Sequence, residues 1–199
     1  MKIVGLTGGI GSGKTTVANF FSEFDGVAVY IADFEAKKLM TSSKIIREKL
    51  IEEFGELAFI KGVLNRKYIA EIVFKDQEKL AKLNAISHPE VKKHFEKFVK
   101  NNSHKDYIIY ENAILFETKS SALCDVIITV FVDVNTKIQR VIDRDSSTKM
   151  EVLNRMKNQW QDAKKILQSN YIIWNIDLEK TQNQVRDIHN NLTGKGSIF

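Results

Sequence analysis

The sequence has little cysteine and little proline, and it has no long apolar run. Cys124 is the only cysteine among 199 residues, so no disulfide can form within the chain, and we expect a reducing compartment. Its apolar neighbours Leu123 and Val126 favour a packed side chain over a catalytic thiol. No apolar segment approaches the roughly 20 residues that a membrane helix needs, and no signal-peptide pattern follows Lys2. These absences predict a cytoplasmic protein without a membrane span.

Length and charge restrict the class of protein further. A chain of 199 residues suits one domain with a conventional hydrophobic core. The formal net charge of +5 is compatible with phosphate-rich ligands, but the lysines are spread over many predicted helix surfaces rather than gathered in one patch. We therefore expect small-molecule partners and no nucleic acid. A monomer is the expected state, with an oligomer left open.

The first sixteen residues, MKIVGLTGGIGSGKTT, carry the strongest motif. A strand pattern over 2–6 is followed by a glycine-rich turn and then by a helical pattern that begins near Gly13. The turn matches G-x-x-x-x-G-K-[ST], the phosphate-binding loop of P-loop NTPases. Its position between a strand and a helix is the context that the motif requires.

Each part of this motif has a task in holding a triphosphate. The glycines let consecutive backbone N–H groups wrap the phosphates, and the helix N-terminus adds the positive end of its dipole. Lys14 is placed to reach the β- and γ-phosphates, and the Thr15 hydroxyl is placed to ligate Mg²⁺. The predicted nucleotide-binding residues are Gly8, Gly9, Gly11, Ser12, Gly13, Lys14, Thr15 and Thr16.

Further strand and helix patterns predict an α/β fold with a parallel sheet. Four more apolar runs are typical of buried strands, at 27–31, 107–110, 126–132 and 171–174. In open α/β sheets, ligands bind beyond the carboxyl ends of the strands. Asp33 follows the second run and is predicted to point towards the phosphates, or to cap the next helix. Asn175 ends the last run and is expected to face the nucleotide base. An amphipathic helix over 178–192 completes the pattern.

The segment 34–104 contains no strand pattern and reads as a series of amphipathic helices, at 45–54, 67–74, 77–87 and 89–100. The pair His88-Pro89 predicts a helix boundary, because proline disfavours helix for the residue before it. A helical insertion at this point of a P-loop kinase holds the acceptor substrate, by analogy of fold. Arg66 and His88 are the candidate ligands, and a surface arginine and a structural histidine are the alternatives.

The magnesium ligand is ambiguous from the residues alone. Glu111 follows the third strand run as a Walker B carboxylate would. Asp33, Glu111 and water are therefore all candidates, and Asp33 is favoured.

Arginines follow the fourth strand run. Arg140 and Arg144 are four residues apart and share one helix face, and Arg155 follows across a polar segment. Arginines on a closing flap suit phosphoryl transfer, because charge spreads over the γ-phosphoryl oxygens in the transition state. The alternative is a solvated helix in which Asp143 and Asp145 pair with them.

Taken together, these segments resemble the dephospho-CoA kinase family, whose members catalyse the last step of coenzyme A synthesis. The matching pieces occur in the family's order and spacing over nearly the whole chain. They are GLTGGIGSGKTT at 5–16, the aspartate of YIADFEAKKL, LNRKYIAEIVF at 64–74, LNAISHPEV at 83–91, ILFE at 114–117, RVIDRD at 140–145, RMKNQ at 155–159 and the asparagine of IIWN.

The resemblance implies a P-loop NTPase fold with three α/β/α layers, a five-stranded parallel sheet, a helical acceptor-binding insertion and a small helical lid. A single kinase domain, 1–199, would then divide into three parts. These are a core (1–33, 105–135 and 165–199), an insertion (34–104) and a lid (136–164).

The resemblance also implies a reaction. The γ-phosphoryl group of ATP passes to the 3′-hydroxyl of dephospho-CoA, giving coenzyme A and ADP, with ATP and Mg²⁺ as cofactors. Lys14, Arg140 and Arg144 would act on the phosphates, and Asp33 would orient or deprotonate the attacking hydroxyl and join Thr15 at the metal. The residues implied to line the acceptor site are Asp33, Arg66, His88 and Glu117.

Overall fold

The chain folds into two compact units in the computed structural model, which describes residues 1–195. The first unit comprises Met1–Ile31 and the chain from Asn102 onward, and the second comprises Ala32–Asn101. Residues 196–199, the end of the predicted core, lie outside the described residues. The division into core, insertion and lid stays a prediction.

Strands and helices alternate in the first unit, whereas the second is mostly helical. The described strands are β1 (Lys2–Thr7), β2 (Val27–Ile31), β3 (Phe59–Ile60), β4 (Val63–Leu64), β5 (Tyr107–Glu111), β6 (Val126–Phe131) and β7 (Tyr171–Trp174). The described α-helices are α1 (Lys14–Ser22), α2 (Ala32–Ser42), α3 (Lys44–Phe54), α4 (Arg66–Val73), α5 (Gln77–Asn101), α6 (Val134–Asp145), α7 (Lys149–Lys157), α8 (Asp162–Ile166) and α9 (Leu178–Leu192).

The first unit contains a five-stranded sheet in the order β2-β5-β1-β6-β7. Every pairing in this sheet is parallel, and the register sets Leu6 opposite both Glu111 and Ile128. The predicted α/β fold with a five-stranded parallel sheet is therefore confirmed. Glu111 is the last residue of β5 rather than the residue after it, and the fourth run ends at Phe131 rather than Val132.

The two faces of this sheet have different coverings, because successive side chains of a strand point to opposite faces. Val4 and Leu6 of β1 pack with α1 and α9 in the main hydrophobic core. Gly5 points the other way, where a Cβ would lie 2.9 Å from Leu115 and 2.8 Å from Cys124 Sγ. The sheet is thus covered on both faces, and burial raises the pKa of the Cys124 thiol to about 12, as suits a packed thiol.

The second unit contains a two-stranded hairpin that the sequence did not predict. β3 and β4 pair antiparallel, with Phe59 opposite Leu64. The two-residue turn between them places Lys61 at φ 49° and Gly62 at φ 82°, the conformation that favours tight hairpins. Each strand has only two residues, too few for a period-2 pattern, so the expectation of no strand in 34–104 was wrong.

Helix α5 continues through Pro89, and the predicted boundary at His88-Pro89 was also wrong. A proline inside a helix removes one hydrogen bond and costs about 3 kcal/mol. Leu83 and Ile86 before the proline pack on the core of this unit, and Phe95 after it is buried. Packing of apolar side chains on both sides of the proline offsets that cost and keeps the segment helical.

No helix in residues 1–195 is long and apolar enough to cross a membrane.

A buried histidine links β5 to α9 in the first unit. His189 Nδ1 lies 2.8 Å from the Tyr107 hydroxyl, and the ring stacks on Phe24 with centroids 3.8 Å apart. Burial lowers the pKa of His189, and Lys195 lowers it further. The native state therefore holds this histidine neutral at a pH where the unfolded chain takes up a proton.

This histidine predicts a pH dependence of stability. Because the folded pKa is depressed, its contribution is present above the ordinary pKa of about 6.5 and is lost as the pH falls. The free energy of unfolding, measured with urea from about pH 7.5 to about pH 5, should fall more steeply for the wild type than for His189→Phe. His104→Gln, at an exposed position, is the control and should keep the wild-type slope. Equal slopes for His189→Phe and the wild type would contradict the assignment.

Candidate functional site

The loop between β1 and α1 has the backbone that an anion cradle needs. Gly11 and Gly13 take φ values of 79° and 89°, which non-glycine residues rarely adopt. A Cβ on Gly13 would also collide with the Asn175 amide. The turn is closed by a hydrogen bond from Ser12 N–H to the Gly9 carbonyl, 3.1 Å. Both the conformation and the close packing therefore require glycine at the end of the loop.

Helix α1 begins at Lys14 and presents its N-terminus to this loop. Its first turn contains no acidic residue, so nothing competes with an anion for the free N–H groups. Thr15 is exposed and Thr16 is half-buried. The Thr15 hydroxyl is therefore accessible to a ligand bound in the loop.

Lys14 is a buried ammonium at the centre of the loop. Its side chain is 9% exposed, and Nζ donates to the Gly9 carbonyl at 3.2 Å. Burial lowers the pKa of Lys14 to about 8; Glu111 opposes this shift, while Lys165, Lys137 and Arg144 add to it. An anion bound here would favour the charged form of Lys14 and so offset the effect of burial.

Asn175, which follows β7, supports the loop instead of standing open to a base. Its Nδ2 donates to the Ser12 carbonyl at 2.8 Å, and its Oδ1 accepts from the Thr181 hydroxyl at 3.2 Å. The side chain is buried. Both ends of the amide are thus used inside the protein, which differs from the expected orientation towards a nucleotide base.

Arg140 lies beside the loop with part of its guanidinium unused. Nη2 donates to the Asn175 carbonyl at 3.1 Å, whereas the buried Nη1 has no hydrogen-bond partner among the described residues. A Cβ on Gly13 would lie 3.6 Å from this Nη1. An unpaired guanidinium N–H next to a phosphate-type loop is a ready donor for an anion.

Arg144 is held elsewhere by an exposed ion-pair network. Its Nε and Nη2 donate to the two oxygens of Asp145 at 2.7 and 3.0 Å, and Arg155 on α7 donates to the same carboxylate at 2.7 Å. The two arginines hold the pKa of Asp145 well below its ordinary value. The structure thus keeps Arg140 at the loop and Arg144 in a pair with Asp145.

Glu117 is enclosed in a buried polar cluster of the first unit. Its Oε1 accepts from Trp160 N–H at 2.6 Å and from Lys165 Nζ at 2.9 Å, while Oε2 is buried without a hydrogen-bond partner among the described residues. Burial raises the pKa of Glu117, but the hydrogen bonds from Trp160 and Lys165 outweigh it, and the net shift is downward. Glu117 is thus an ionised acceptor with one free oxygen.

Sequence reasoning missed three residues around the loop. Lys137 and Lys165 are fully buried ammoniums, each paired with a carboxylate. Gln159 Oε1 accepts from Ile10 N–H of the loop at 2.8 Å. One signal was available, because Lys137 lies four residues before the buried Val141 of α6 and so shares its inward face.

The remaining candidate residues lie in the second unit. Asp33 is the second residue of α2 and pairs with Lys37 at 3.0 Å, and both side chains are largely exposed. Arg66 is the exposed first residue of α4, and His88 is exposed within α5. Each is accessible to a ligand within its own unit.

No group of three or more histidine, cysteine or acidic residues in the described chain could hold a metal by itself. A hydroxyl such as that of Thr15 suits Mg²⁺, which usually keeps several waters and takes its other ligands from one or two carboxylates and the substrate phosphates. The residues present therefore fit a magnesium ion that arrives with a nucleotide.

The chain is similar to known proteins over nearly its whole length. The profile of the dephospho-CoA kinase family matches residues 2–180. A dephospho-CoA kinase of Leptospira interrogans is 35% identical over 195 residues, which cover 97% of this chain and 94% of that protein. A solved structure of a Thermus thermophilus protein has a TM-score of 0.87 at 27% identity, covering 97% of this chain and 98% of that one. A dephospho-CoA kinase from Campylobacter jejuni shares the fold, with a TM-score of 0.64 at 20% identity and coverage of 97% and 98%.

The lowered pKa of Lys14 predicts proton uptake on nucleotide binding. A pKa of about 8 leaves roughly a tenth of the lysine neutral at about pH 7 and roughly three quarters at about pH 8.5. A bound triphosphate stabilises the charged form, so MgATP should take up close to that fraction of a proton.

Calorimetric titration in two buffers of different ionisation enthalpy measures this uptake. The observed heats should depend on the buffer at the higher pH and hardly at all at the lower one. Equal heats in both buffers at the higher pH would show that Lys14 is already charged in the free protein.

Proposed function

From the premise that this chain belongs to the dephospho-CoA kinase family, we propose a division of catalytic tasks among its residues. The chain is an ATP-dependent kinase that acts on ATP and dephospho-CoA and catalyses the final step of coenzyme A biosynthesis. In that step the ATP γ-phosphoryl group moves to the 3′-hydroxyl of dephospho-CoA and ADP leaves. The proton of the hydroxyl must be removed as the new P–O bond forms.

The observation that best supports an ATP site at the loop is the combination of Lys14 and Arg140. Lys14 is a desolvated cation, and Arg140 keeps one buried N–H without a partner among the described residues. The Lys14 charge is only partly compensated, by Glu111, and a triphosphate would supply further negative charge for both groups. The loop N–H groups, Lys14 and the Thr15 and Thr16 hydroxyls hold the phosphates, and Asn175 acts through Ser12 by holding the loop in shape.

Magnesium is part of the proposal. Thr15 and Asp33 would hold the ion, with Glu111 as the other candidate carboxylate. The bound ion would neutralise charge that develops on the β- and γ-phosphoryl oxygens. Glu111 is 5% exposed and influences Lys14, which favours a role in balancing the lysine and leaves Asp33 as the preferred ligand.

Asp33 is the proposed group that orients or deprotonates the attacking hydroxyl. Its exposed carboxylate pairs with the exposed Lys37 through Oδ2, and surface pairs of this kind are weak. Arg66, His88 and Glu117 are proposed to line the acceptor site. The free Oε2 of Glu117 is the atom available to accept a hydrogen bond from the acceptor.

Arg140 and Arg144 are proposed to stabilise the transferring phosphoryl group as the lid 136–164 closes. An arginine in this role contributes about 10³- to 10⁵-fold in rate. Arg140 already lies at the loop, whereas Arg144 must exchange Asp145 for the phosphoryl oxygens. We also propose a cytoplasmic monomer, in keeping with the single cysteine.

An acceptor panel tests the function. ADP release by the wild type in the presence of Mg²⁺ and ATP should require dephospho-CoA and should yield coenzyme A by mass, with Lys14→Ala as the blank. Release only with a nucleoside or a nucleoside monophosphate would make the chain a nucleotide-type kinase. Release that no acceptor changes would indicate a regulatory NTPase.

Replacement of Asp33 tests the proposed base. Asp33→Asn should lower kcat for coenzyme A formation by about 10²- to 10⁴-fold, because general base catalysis contributes about that much. The affinity for ATP, measured by calorimetry, should change little. Lys37→Met is the matched control, since it removes the ion-pair partner but keeps the carboxylate, and it should retain turnover. Near-wild-type kcat in Asp33→Asn would rule out the base role.

A further inference from the structure

Lys137 and Asp162 form an ion pair that the proposed function leaves without a task. Lys137 lies on α6 and its side chain is fully buried, while Asp162 begins α8 and its side chain is 24% exposed. A lysine is almost never fully buried unless its charge is compensated. The attraction of Asp162 therefore offsets the free-energy cost of removing the Lys137 ammonium from water.

The pair lies against the phosphate loop. A Cβ on Gly9 would be 3.0 Å from Lys137 Nζ and 3.2 Å from Asp162 Oδ1. Gly9 does not have a positive φ, so its backbone does not demand glycine, but a side chain here would press on this pair and displace it. The carbonyl of the same Gly9 accepts from Lys14. Gly9 thus lies between the Lys137–Asp162 pair and Lys14, the lysine proposed to bind the phosphates.

The segment 159–162, which we call the strap, fastens the same part of the loop by a second bond. Gln159 accepts from Ile10 N–H at 2.8 Å. Trp160 is itself fixed in place. Its backbone N–H donates to Glu117 Oε1 at 2.6 Å, and its indole ring stacks on Phe116 with ring centroids 5.5 Å apart. The strap therefore has a fixed base from which Asp162 reaches Lys137.

The charges around the loop are balanced in pairs. Lys137 is offset by Asp162 and Lys165 by Glu117. Both lysines also act on Lys14 through the protein interior. Without Lys137, the Asp162 carboxylate would face an anion-binding loop as an uncompensated negative charge, and charges are weakly screened away from bulk water.

We propose that Lys137 is a positioning residue for nucleotide binding: beside Gly9 of the phosphate loop, it neutralises the Asp162 carboxylate, which would otherwise repel the phosphates of ATP. Lys137 is fully buried, so it acts through the charge of Asp162 and not by touching the nucleotide. The inference rests on the proposed function only in that this loop binds ATP.

The test compares Lys137→Met, Asp162→Asn and the double variant. Calorimetry with MgATP gives the dissociation constant, and coenzyme A formation gives kcat and both KM values. Lys137→Met should weaken MgATP binding and raise KM for ATP by about 10-fold or more, as expected for an unpaired charge near a ligand. Its kcat and its KM for dephospho-CoA should stay within about 3-fold, because the lost interaction is made equally in the ground and transition states.

Asp162→Asn and the double variant show whether it is the unpaired negative charge that weakens MgATP binding. Asp162→Asn leaves a positive charge behind the loop, so thermal stability should fall while MgATP affinity does not weaken. The double variant removes both charges and should return the affinity to within about 3-fold of the wild type. Lys180→Met, at an exposed position on α9 outside the lid, controls for loss of net positive charge and should leave every constant unchanged.

Three results would overturn the inference. The first is a MgATP affinity of Lys137→Met within about 2-fold of the wild type. The second is a double variant that binds MgATP no more tightly than Lys137→Met does. The third is a joint change of kcat and both KM values, the mark of a general structural defect. If Lys137→Met fails to fold, the double variant alone tests the inference. A MgATP affinity within about 3-fold of the wild type would support it, and a weaker affinity would overturn it. Failure of the proposed function would show separately, as wild-type protein that binds MgATP but forms no coenzyme A.

Discussion

The burial of the Lys14 ammonium is the constraint on which the first unit depends. A charge removed from water is costly unless other groups compensate for it. The free protein compensates only partly, with the Gly9 carbonyl at 3.2 Å and the nearby Glu111 carboxylate. The incomplete compensation lowers the pKa of Lys14 to about 8, and it gives the loop its attraction for a polyanion.

A loop that holds such a charge cannot keep its shape by its own sequence. Its glycines allow the required φ angles but provide no rigidity. Rigidity comes from distant parts of the chain. The Asn175 amide donates to the Ser12 carbonyl, and Gln159 Oε1 accepts from the Ile10 N–H. Both supporting residues follow the loop in sequence by more than a hundred positions. The motif G-x-x-x-x-G-K-[ST] is therefore a binding site only within this sheet and its connections.

The sequence predicted those features that are determined by residues close together in the chain, and it missed those that depend on contacts between distant residues. The phosphate loop and the strands of the parallel sheet were predictable because consecutive residues determine them. The burial of Lys137 was missed although it lies four residues before Val141, because a lysine in an amphipathic helix is expected to face solvent and its partner Asp162 is 25 positions away. The turn at Lys61-Gly62 was missed because two-residue strands carry no periodicity. Asn175 follows the last strand as the sequence predicts, but its bonds to Ser12 and Thr181 could not be predicted, since side-chain direction depends on tertiary contacts.

On the roles proposed above, the two arginines of α6 would serve two stages of the reaction. Arg140 is already fixed at the loop through the Asn175 carbonyl and keeps one N–H free, so it is preorganised for a bound nucleotide. Arg144 is occupied by Asp145, which Arg155 also contacts. Because these groups are exposed, the pair is weak enough to be exchanged for a more highly charged phosphoryl group. Arg155 would then keep Asp145 satisfied while Arg144 moves, so that closure of the lid need not leave a carboxylate unpaired.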